Sequence, residues 1–498
     1  MPSNKPNILF IMSDDHGANA ISAYGSRLAS VFQTPHLDRI ANEGVRLNNC
    51  HCGNAICTPS RATIFTGQHS HINGVRTLSD SLDPETTTYP KMMQAAGYQT
   101  AIFGKWHVHS EPQGFDEYYV LPGQGFYSNP YFIGPQHDWA ESYSHHQNPG
   151  GTQHEGYVTD LVTDFTLDYL KNVDKDRPFM VCCHHKAPHD DFEYHPRHEH
   201  MFDGVTIPEP ENLWEDHSRR DPCTRYYGTS VSDRNPFRNA IIRMTQPDYI
   251  TGQLDVTGLD AEGRTKAAYQ KYLKDYMRTC AAIDENVGRL LDYLDESGLA
   301  ENTLVVYTSD QGMFLGEHDY IDKRWIYEEA LQMPMLVRLP GEIPAGSQNE
   351  DLITNVDFAS TLLDYAGIDS APGMQGRSFR SNLQGDTPED WTDAIYYRYW
   401  MHMTHHHNPA HYGIRTQRYK LIHFYGLPLD ATDALPYSTP PGWELYDLEK
   451  DPDENHNVYN DPEYADVVDQ LKGRLYELKA ELGDEDEKYP EVMALPTR

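Results

Sequence analysis

The sequence has few cysteines and no long apolar run, and each shortage excludes a class of protein. No window reaches about 18 consecutive apolar residues, so we expect no membrane-spanning helix. Seven cysteines in 498 residues are too few and too irregularly spaced for a disulfide framework. Cys50 and Cys52 stand close together, but a second pair at zinc-site spacing is lacking.

Basic residues are also scarce. The chain has 40 Lys and Arg against 75 Asp and Glu, a formal charge of -35, which excludes general binding to nucleic acid or to an anionic membrane surface. The apolar run that starts at residue 7 is too short for a signal peptide and predicts a strand. We therefore expect a cytoplasmic protein, or a periplasmic or extracellular one from which a signal has been removed. The oligomeric state stays open.

Apolar runs typical of strands alternate with segments of helical periodicity. This alternation predicts an α/β fold with a mostly parallel sheet, with strands at 7–13, 98–103, 178–183, 303–309 and 333–339. Apolar spacings of three and four predict helices near 35–44, 158–169, 262–298 and 351–367. A second set, strands at 394–399 and 418–423 and a helix at 463–482, follows a Gly-Asp-Thr-Pro break. We therefore predict a large domain over 1–385 and a smaller one over 386–498.

Charged or imidazole side chains follow four of the predicted strands. In open α/β sheets, ligands bind beyond the carboxyl ends of the strands, so residues distant in sequence are expected to converge there. One polar strand end would be an ordinary loop, whereas four indicate a functional site. The residues are Asp14 and Asp15; Lys105 and His107; His184, His185 and His189; and Asp310 and Gln311.

Two of these strand ends carry oxygen ligands for a metal ion. Asp14, Asp15 and Asp310 offer carboxylate oxygens and Gln311 an amide oxygen, a set that suits calcium or magnesium better than zinc. Taken alone, the pair Asp14 and Asp15 would more often cap a helix or occupy a solvated turn.

A short motif, Cys57-Thr58-Pro59-Ser60-Arg61, stands where a helix is expected to begin, with Pro59 in its first turn. Backbone N–H groups at such a helix start favour an anion. The alternative is a buried free cysteine with a structural role. The motif resembles the Cys-x-Pro-Ser-Arg signal of the type I sulfatases, and the resemblance extends over nearly the whole chain, including the C-terminal stretch 444–457.

The resemblance implies an alkaline-phosphatase-like sandwich with a large, mostly parallel sheet and a C-terminal α+β subdomain with an antiparallel sheet. It also implies that a maturation enzyme converts Cys57 to Cα-formylglycine, whose hydrate attacks the sulfur of a sulfate ester. One calcium ion, with magnesium less favoured, would be held by residue 57 and the four oxygen ligands. Gln311 departs from the asparagine of many members, which keeps the amide oxygen on a longer arm.

Further catalytic roles follow from the same resemblance. Arg61 holds the aldehyde hydrate, Lys105 and Lys323 bind sulfate oxygens, and His107 acts as a base. His189 stands near the leaving group, where either it or Lys323 protonates the departing alcohol.

The substrate is expected to be a sulfated carbohydrate, an algal polysaccharide fragment or a glycosaminoglycan. Basic and aromatic residues on long loops suit such a ligand. The candidate contacts are Arg234, Arg238, His405 and Tyr412, with His184, His185 and His318 as further candidates. Two other functions remain open: a phosphonate or phosphate diester hydrolase of the same fold, and a non-catalytic protein that binds sulfated glycans.

Overall fold

The computed structural model describes residues 5–144 and 150–495. Its strands are Asn7–Ser13 (β1), Val45–Leu47 (β2), Cys50–His51 (β3), Gln99–Gly104 (β4), Glu117–Val120 (β5), Tyr131–Phe132 (β6), Thr152–Gln153 (β7), Phe179–His184 (β8), Thr303–Ser309 (β9), Phe314–Leu315 (β10), Ile321–Asp322 (β11), Met335–Arg338 (β12), Ser347–Asn349 (β13), Ile353–Thr354 (β14), Ala394–Tyr399 (β15), His411–Thr416 (β16), Tyr419–Phe424 (β17) and Gly442–Asp447 (β18).

The α-helices of the described residues lie between and after these strands. They are Pro35–Glu43 (α1), Cys57–Thr66 (α2), Ser70–Asn73 (α3), Tyr89–Ala95 (α4), Trp139–Ser142 (α5), Val158–Asn172 (α6), Ala240–Met244 (α7), Ala261–Ser297 (α8), Glu328–Leu331 (α9), Asp357–Tyr365 (α10), Arg380–Leu383 (α11), Ala465–Leu482 (α12) and Pro490–Met493 (α13). Among the described helices, none is both long and apolar enough to cross a membrane.

A central sheet of eight strands has the order β13-β2-β12-β9-β1-β8-β4-β5. The pairs from β9 through β1, β8 and β4 to β5 are all parallel, while β12 runs antiparallel to both of its neighbours. The predicted α/β class with a large, mostly parallel sheet is therefore confirmed.

The two faces of the sheet bury alternate residues of each strand, as the period of two requires. Along β1, Leu9 and Ile11 join a core built with α1, α6 and α8. Ile8, Phe10 and Met12 face the other way, into a core with α2, α4 and α10. The sheet is therefore the middle layer between two layers of helices.

The helix predicted at 351–367 is shorter than expected. It spans Asp357–Tyr365, because residues 353 and 354 form the short strand β14 against β3. The strands at 7–13 and 303–309 and the long helix α8 agree with the prediction to within one residue at each end.

A second sheet of four antiparallel strands, β15 to β18 in sequence order, lies in the C-terminal part. Leu471, Leu475 and Leu478 of α12 pack against it, which confirms the predicted antiparallel sheet with a final helix. Tyr397 of β15 reaches the larger part of the protein, where its hydroxyl donates to the carbonyl of Arg324 at 2.6 Å. The small sheet therefore supports the loop that carries Lys323. The boundary at 385 stays a prediction.

Candidate active site

Four adjacent parallel strands end at one edge of the central sheet. Ser13 at the end of β1 lies opposite Ser309 of β9, and His184 of β8 lies opposite both Met12 and Gly104. The residues that follow these strand ends therefore meet in space, as the parallel register requires.

Asp14, Asp15 and Asp310 form an acidic cluster at this edge. One oxygen from each carboxylate lies within 4.8 Å of the others, and all three side chains are buried. The Gln311 amide nitrogen donates to Asp15, while its Oε1 is buried and has no hydrogen-bond partner among the described residues. An unpartnered amide oxygen beside three carboxylates fits a hard cation such as calcium or magnesium.

Cys57 is the first residue of α2, and all ten residues of this helix are buried. Its Sγ lies 3.2 Å from Asp14 Oδ1 and 3.7 Å from Gln311 Nε2, which places residue 57 against the acidic cluster. The N-cap residue, Ile56, makes no side-chain hydrogen bond to the first turn, and free N–H groups at a helix start favour an anion. The prediction that α2 begins at the motif is confirmed.

Arg61 ties helix α2 to two strand ends. Its Nε donates to Asp310 Oδ2 at 2.9 Å, and its Nη1 donates to the carbonyl of Lys105 at 2.6 Å. Its Nη2 is buried without a hydrogen-bond partner among the described residues and lies 3.9 Å from Asp14 Oδ1. Arg61 therefore points into the site, as predicted, rather than to the surface.

Two lysines face the cluster from different elements. Lys105 donates to Asp14 and, at 2.6 Å, to Gln124 Oε1, while Lys323 donates to Asp15 Oδ2 at 2.5 Å. Gly104 is needed where the chain leaves β4: its φ is +99°, and a Cβ there would lie 1.9 Å from the carbonyl oxygen of His184.

Two of the predicted histidines also border the cluster. His107 Nδ1 lies 3.4 Å from the hydroxyl of Thr58, beside residue 57. His189 Nε2 lies 3.9 Å from Asp15 Oδ2, and its Nδ1 is 2.6 Å from the carbonyl of Asp190. The His189 side chain is 15% exposed whereas those of Asp14, Asp15, Lys105 and Asp310 are fully buried, so the site opens on the side of His189.

The electrostatics of the site follow from burial and from the mixture of charges. Burial alone would raise the pKa of Asp14, but the positive charges of Lys105, Arg61 and Lys323 hold it well below its usual value. Burial and the neighbouring Asp14 raise the pKa of Asp310 to about 8. Burial would lower the pKa of Lys323, but Asp15 reverses this effect and raises it well above its usual value.

The uncharged forms of residue 57 and the histidines are favoured. Burial, and then the charge of Asp14, raise the pKa of the Cys57 thiol, so an unmodified thiol stays protonated and is a poor nucleophile. Burial and the charge of Lys105 hold the pKa values of His107 and His189 well below the usual value. The neutral form of both imidazoles is therefore favoured.

The structure adds two residues that the sequence interpretation missed. Gln124 accepts the hydrogen bond from Lys105 described above. Lys186 is buried with its Nζ 4.8 Å from the Tyr127 ring centroid, and burial followed by the charge of Lys105 lowers its pKa to about 8. Lys186 lies inside the polar run from His184 to His189, and this position could have identified it as a site residue. No feature of the sequence indicated that Gln124 belongs to the site.

A second missed group flanks Lys323. Asp322 Oδ2 accepts from Arg324 Nε at 3.0 Å and lies 3.1 Å from His406 Nδ1. Lys323 Nζ lies 3.5 Å from Asp322 Oδ1. Lys323 therefore sits between the acidic cluster and a charged group contributed by both parts of the chain.

Three predicted substrate contacts do not face the opening. His184 is buried between Phe10 and Phe65, and His185 is buried with its Nε2 3.6 Å from Cys183 Sγ on the other face of the sheet. His318 is buried against Glu215, 2.7 Å away. We correct these expectations, because each imidazole is enclosed by protein and cannot meet a carbohydrate.

The expectation for Tyr412 is corrected for the same reason. Instead of lying on a long loop, it is a buried residue of β16 whose hydroxyl donates to Asp486 at 2.6 Å.

Arg234 is held by Asp319 at 3.1 Å and donates to the carbonyl of Tyr227 at 3.2 Å. Arg238 and His405 do lie on the side of Asp322 and His406, and His405 is exposed.

The buried nucleophile position, the acidic cluster and the ring of cations together define a hydrolase of anionic esters. The profile of the sulfatase family matches residues 6–368, and a profile described as "N-sulphoglucosamine sulphohydrolase, C-terminal" matches residues 316–481. The chain belongs to the sulfatase family and hydrolyses sulfate esters, and its fold is the alkaline-phosphatase-like sandwich that was predicted.

Two relatives cover nearly the whole chain. An N-acetylglucosamine-6-O-sulfatase of Bacteroides thetaiotaomicron is 40% identical over 97% of this chain and 88% of its own length. A solved structure of a protein in complex with its substrate, D-glucosamine-2-N,6-O-disulfate, is 38% identical, with a TM-score of 0.86 over 97% of this chain and 99% of that one. A phosphonate monoester hydrolase of Agrobacterium radiobacter shares the fold at 23% identity and a TM-score of 0.70, covering 96% of each chain.

Proposed function

We propose that this protein removes the 6-O-sulfate from a glucosamine unit of a sulfated glycan. The observation that carries the proposal is the likeness at 40% and 38% identity over 97% of the chain to the two proteins described above. The first is named an N-acetylglucosamine-6-O-sulfatase, and the second was solved with a glucosamine that carries a 6-O-sulfate. The buried cations around residue 57 provide the environment that such an anion requires.

The proposed nucleophile is Cα-formylglycine at position 57, formed by a formylglycine-generating enzyme. Its support is the Cys-x-Pro-Ser-Arg motif and the protonated, buried state of the unmodified thiol. Once formed, the hydrated aldehyde would offer one hydroxyl oxygen to the sulfur at the start of α2 while the bond from sulfur to the sugar oxygen breaks. Loss of the proton from its second hydroxyl would then release sulfate and restore the aldehyde. Arg61, fixed by Asp310 and by the carbonyl of Lys105, holds residue 57 in place.

The proposed metal ion is calcium. Asp14, Asp15, Asp310 and the free oxygen of Gln311 would hold it, since all four ligand atoms are oxygens. A bound calcium ion supplies positive charge that polarises the sulfate oxygens.

The remaining side chains bind charge and move protons. Lys105 and Lys323 stabilise the negative charge on the sulfate oxygens, together with the N–H groups of α2. His107, neutral and next to Thr58, accepts the proton of the second hydroxyl on residue 57 as sulfate leaves. His189 Nδ1 donates to the carbonyl of Asp190, which leaves Nε2 of the neutral ring without a proton, so His189 can pass a proton from Nε2 to the leaving oxygen only in its imidazolium form. Lys323 is the alternative donor.

The nucleophile is tested by the mass of the peptide that contains residue 57 in an active preparation. We expect the mass of an aldehyde in place of the thiol, and loss of activity in Cys57→Ala. An unmodified cysteine in fully active protein would overturn the proposed nucleophile.

The substrate is tested by comparing kcat/KM for a 6-O-sulfated glucosamine with that for sulfate, phosphate and phosphonate esters of one leaving group. We expect the 6-O-sulfate to be the best substrate. A preference for a phosphate or phosphonate diester would instead support the rival hydrolase activity. Binding of the sulfated sugar without turnover by protein that carries the aldehyde would support a non-catalytic role.

A further inference from the structure

A short segment, the Phe237–Arg238 turn, lies beside the proposed site. Arg238 lines one cavity together with Asp322 and His406, and Asp322 is the neighbour of Lys323. The Phe237 ring meets the ring of His407 edge to face, with centroids 5.2 Å apart. The same cavity is lined by Asp190, the neighbour of His189, so Arg238 lies on the side of the site where His189 is exposed.

Arg238 has no counterion among the described residues. Within the described part of the chain, its half-buried guanidinium makes no hydrogen bond or ion pair, and the titratable groups it acts on are the imidazoles of His405, His406 and His407. After burial, Arg238 is one of the groups that lower the pKa values of these imidazoles. The neighbouring Arg243, by contrast, pairs with Asp190 and Asp191. In a chain of net charge -35, an unpaired arginine at an opening indicates a place for an anionic ligand.

Phe237 supplies an apolar surface next to this charge. Its side chain is 78% exposed, the highest value among the exposed large hydrophobic residues of the described chain. Rings of this kind stack on the apolar faces of flat or cyclic ligands, and the exposed part of this ring is open to such a ligand beside its edge contact with His407.

The turn is fixed by a buried asparagine. Asn235 Oδ1 accepts from the backbone N–H groups of Phe237 at 2.9 Å and Arg238 at 3.2 Å. Its Nδ2 donates to the carbonyl of Gly228 at 2.7 Å. Both side chains are thus presented by a backbone that is already ordered, which reduces the entropy lost when a ligand binds.

We propose that Phe237 and Arg238 form a second sugar subsite, which binds the unit adjoining the sulfated glucosamine. Phe237 stacks on the ring of that unit, and Arg238 pairs with its carboxylate or sulfate. The inference rests on the proposed function, and it assigns to this chain a preference for an anionic oligosaccharide over the single sugar.

The test compares two substrates that carry the same 6-O-sulfated glucosamine: the monosaccharide, and a disaccharide in which a uronic acid adjoins it. Both are prepared in N-acetylated and N-sulfated forms. We expect Phe237→Ala and Arg238→Met each to lower the ratio of kcat/KM for disaccharide over monosaccharide by about five- to tenfold, the size of one lost charged or stacking contact. Phe237→Trp should preserve the ratio.

Trp214→Ala is the matched control. Trp214 is also an exposed aromatic residue, at 45%, but it contacts Glu209 and Lys266 rather than the site, so the ratio should not change. Equal ratios in wild type and in both variants would overturn the subsite. The subsite would also be overturned if Arg238→Met lowered kcat/KM for the N-sulfated monosaccharide as much as for the N-sulfated disaccharide. Arg238 would then bind the N-sulfate of the same sugar.

The failure of the subsite can be told apart from the failure of the proposed function. Turnover of both substrates with unchanged ratios overturns the subsite alone. If the wild-type protein, with the aldehyde in place, turns over neither 6-O-sulfated substrate, both the proposed function and this inference are overturned.

Discussion

Replacing Lys323 with methionine should separate the two tasks of this lysine. Its ammonium lies 2.5 Å from Asp15 Oδ2 and 3.5 Å from Asp322 Oδ1, so it neutralises the cluster in the free protein. In turnover the same charge would face the sulfate oxygens. Lys323→Met keeps much of the apolar stem and removes only the charge, so stability and activity should both fall for reasons that can be measured separately.

The size of each effect follows from the geometry. At an effective dielectric of about 20, the Coulomb attraction across 2.5 Å is roughly 6–7 kcal/mol. Part of that attraction offsets desolvation in the wild type, so breaking the buried pair should cost about 3–5 kcal/mol of unfolding free energy. Loss of one donor to the developing charge should lower kcat by about 10²–10³-fold.

Calcium should distinguish the two effects. A calcium ion held by Asp14, Asp15 and Asp310 neutralises the carboxylate that Lys323→Met leaves unpaired, so the variant should bind calcium at least about tenfold more tightly than the wild type. Calorimetric titration measures the calcium affinity of each protein. Denaturant unfolding in chelator and in saturating calcium measures the stability difference between the variant and the wild type. The stability difference should shrink in calcium, whereas kcat should stay low.

Lys271→Met is the matched control for this experiment. Lys271 pairs with the buried Asp275 at 2.9 Å on α8, outside the site. Its loss should destabilise the protein equally with and without calcium and leave kcat/KM unchanged. The reasoning would be refuted if calcium bound Lys323→Met no more tightly than wild type, or if calcium restored its activity.

Other measurements test single features of the site and fold. Gln311→Leu removes the free amide oxygen and should weaken calcium binding by at least about tenfold in calorimetry; unchanged affinity would exclude this oxygen as a ligand. Burial raises the pKa of Asp284 from 3.8 to about 6, so the folded protein holds this proton more tightly and loses stability as pH rises from about 4 to about 6. The stability of Asp284→Asn relative to wild type, measured by urea unfolding, should therefore rise over that range by at most about 3 kcal/mol, and parallel pH curves would contradict this expectation.

The sequence predicted the parts of the site that depend on topology. Parallel strands expose their carboxyl ends on one edge, so the residues after β1, β4, β8 and β9 had to meet once the strands were recognised. The helices were readable because α8 repeats apolar residues at intervals of three and four over its whole length.

Side-chain environments could not be read in the same way. Arg234 and Arg238 stand four positions apart in one irregular segment, yet Asp319 neutralises the first and no described acidic group pairs with the second. Tyr412 follows a histidine-rich run and was placed on a loop, but it belongs to β16 and pairs with Asp486 from the C-terminal end. Such pairings depend on long-range packing, which the local pattern does not contain.

The net charge of -35 and an anionic substrate are compatible because the two charges act over different distances. Exposed acidic groups are screened beyond roughly 8 Å in physiological salt, whereas buried charges interact strongly at short range. Around residue 57 the buried cations Arg61, Lys105, Lys186 and Lys323 face Asp14, Asp15 and Asp310, and a divalent ion would make the balance clearly positive. Contacts to the buried sulfate should therefore depend little on salt, while a contact at the half-buried Arg238 should weaken as salt rises.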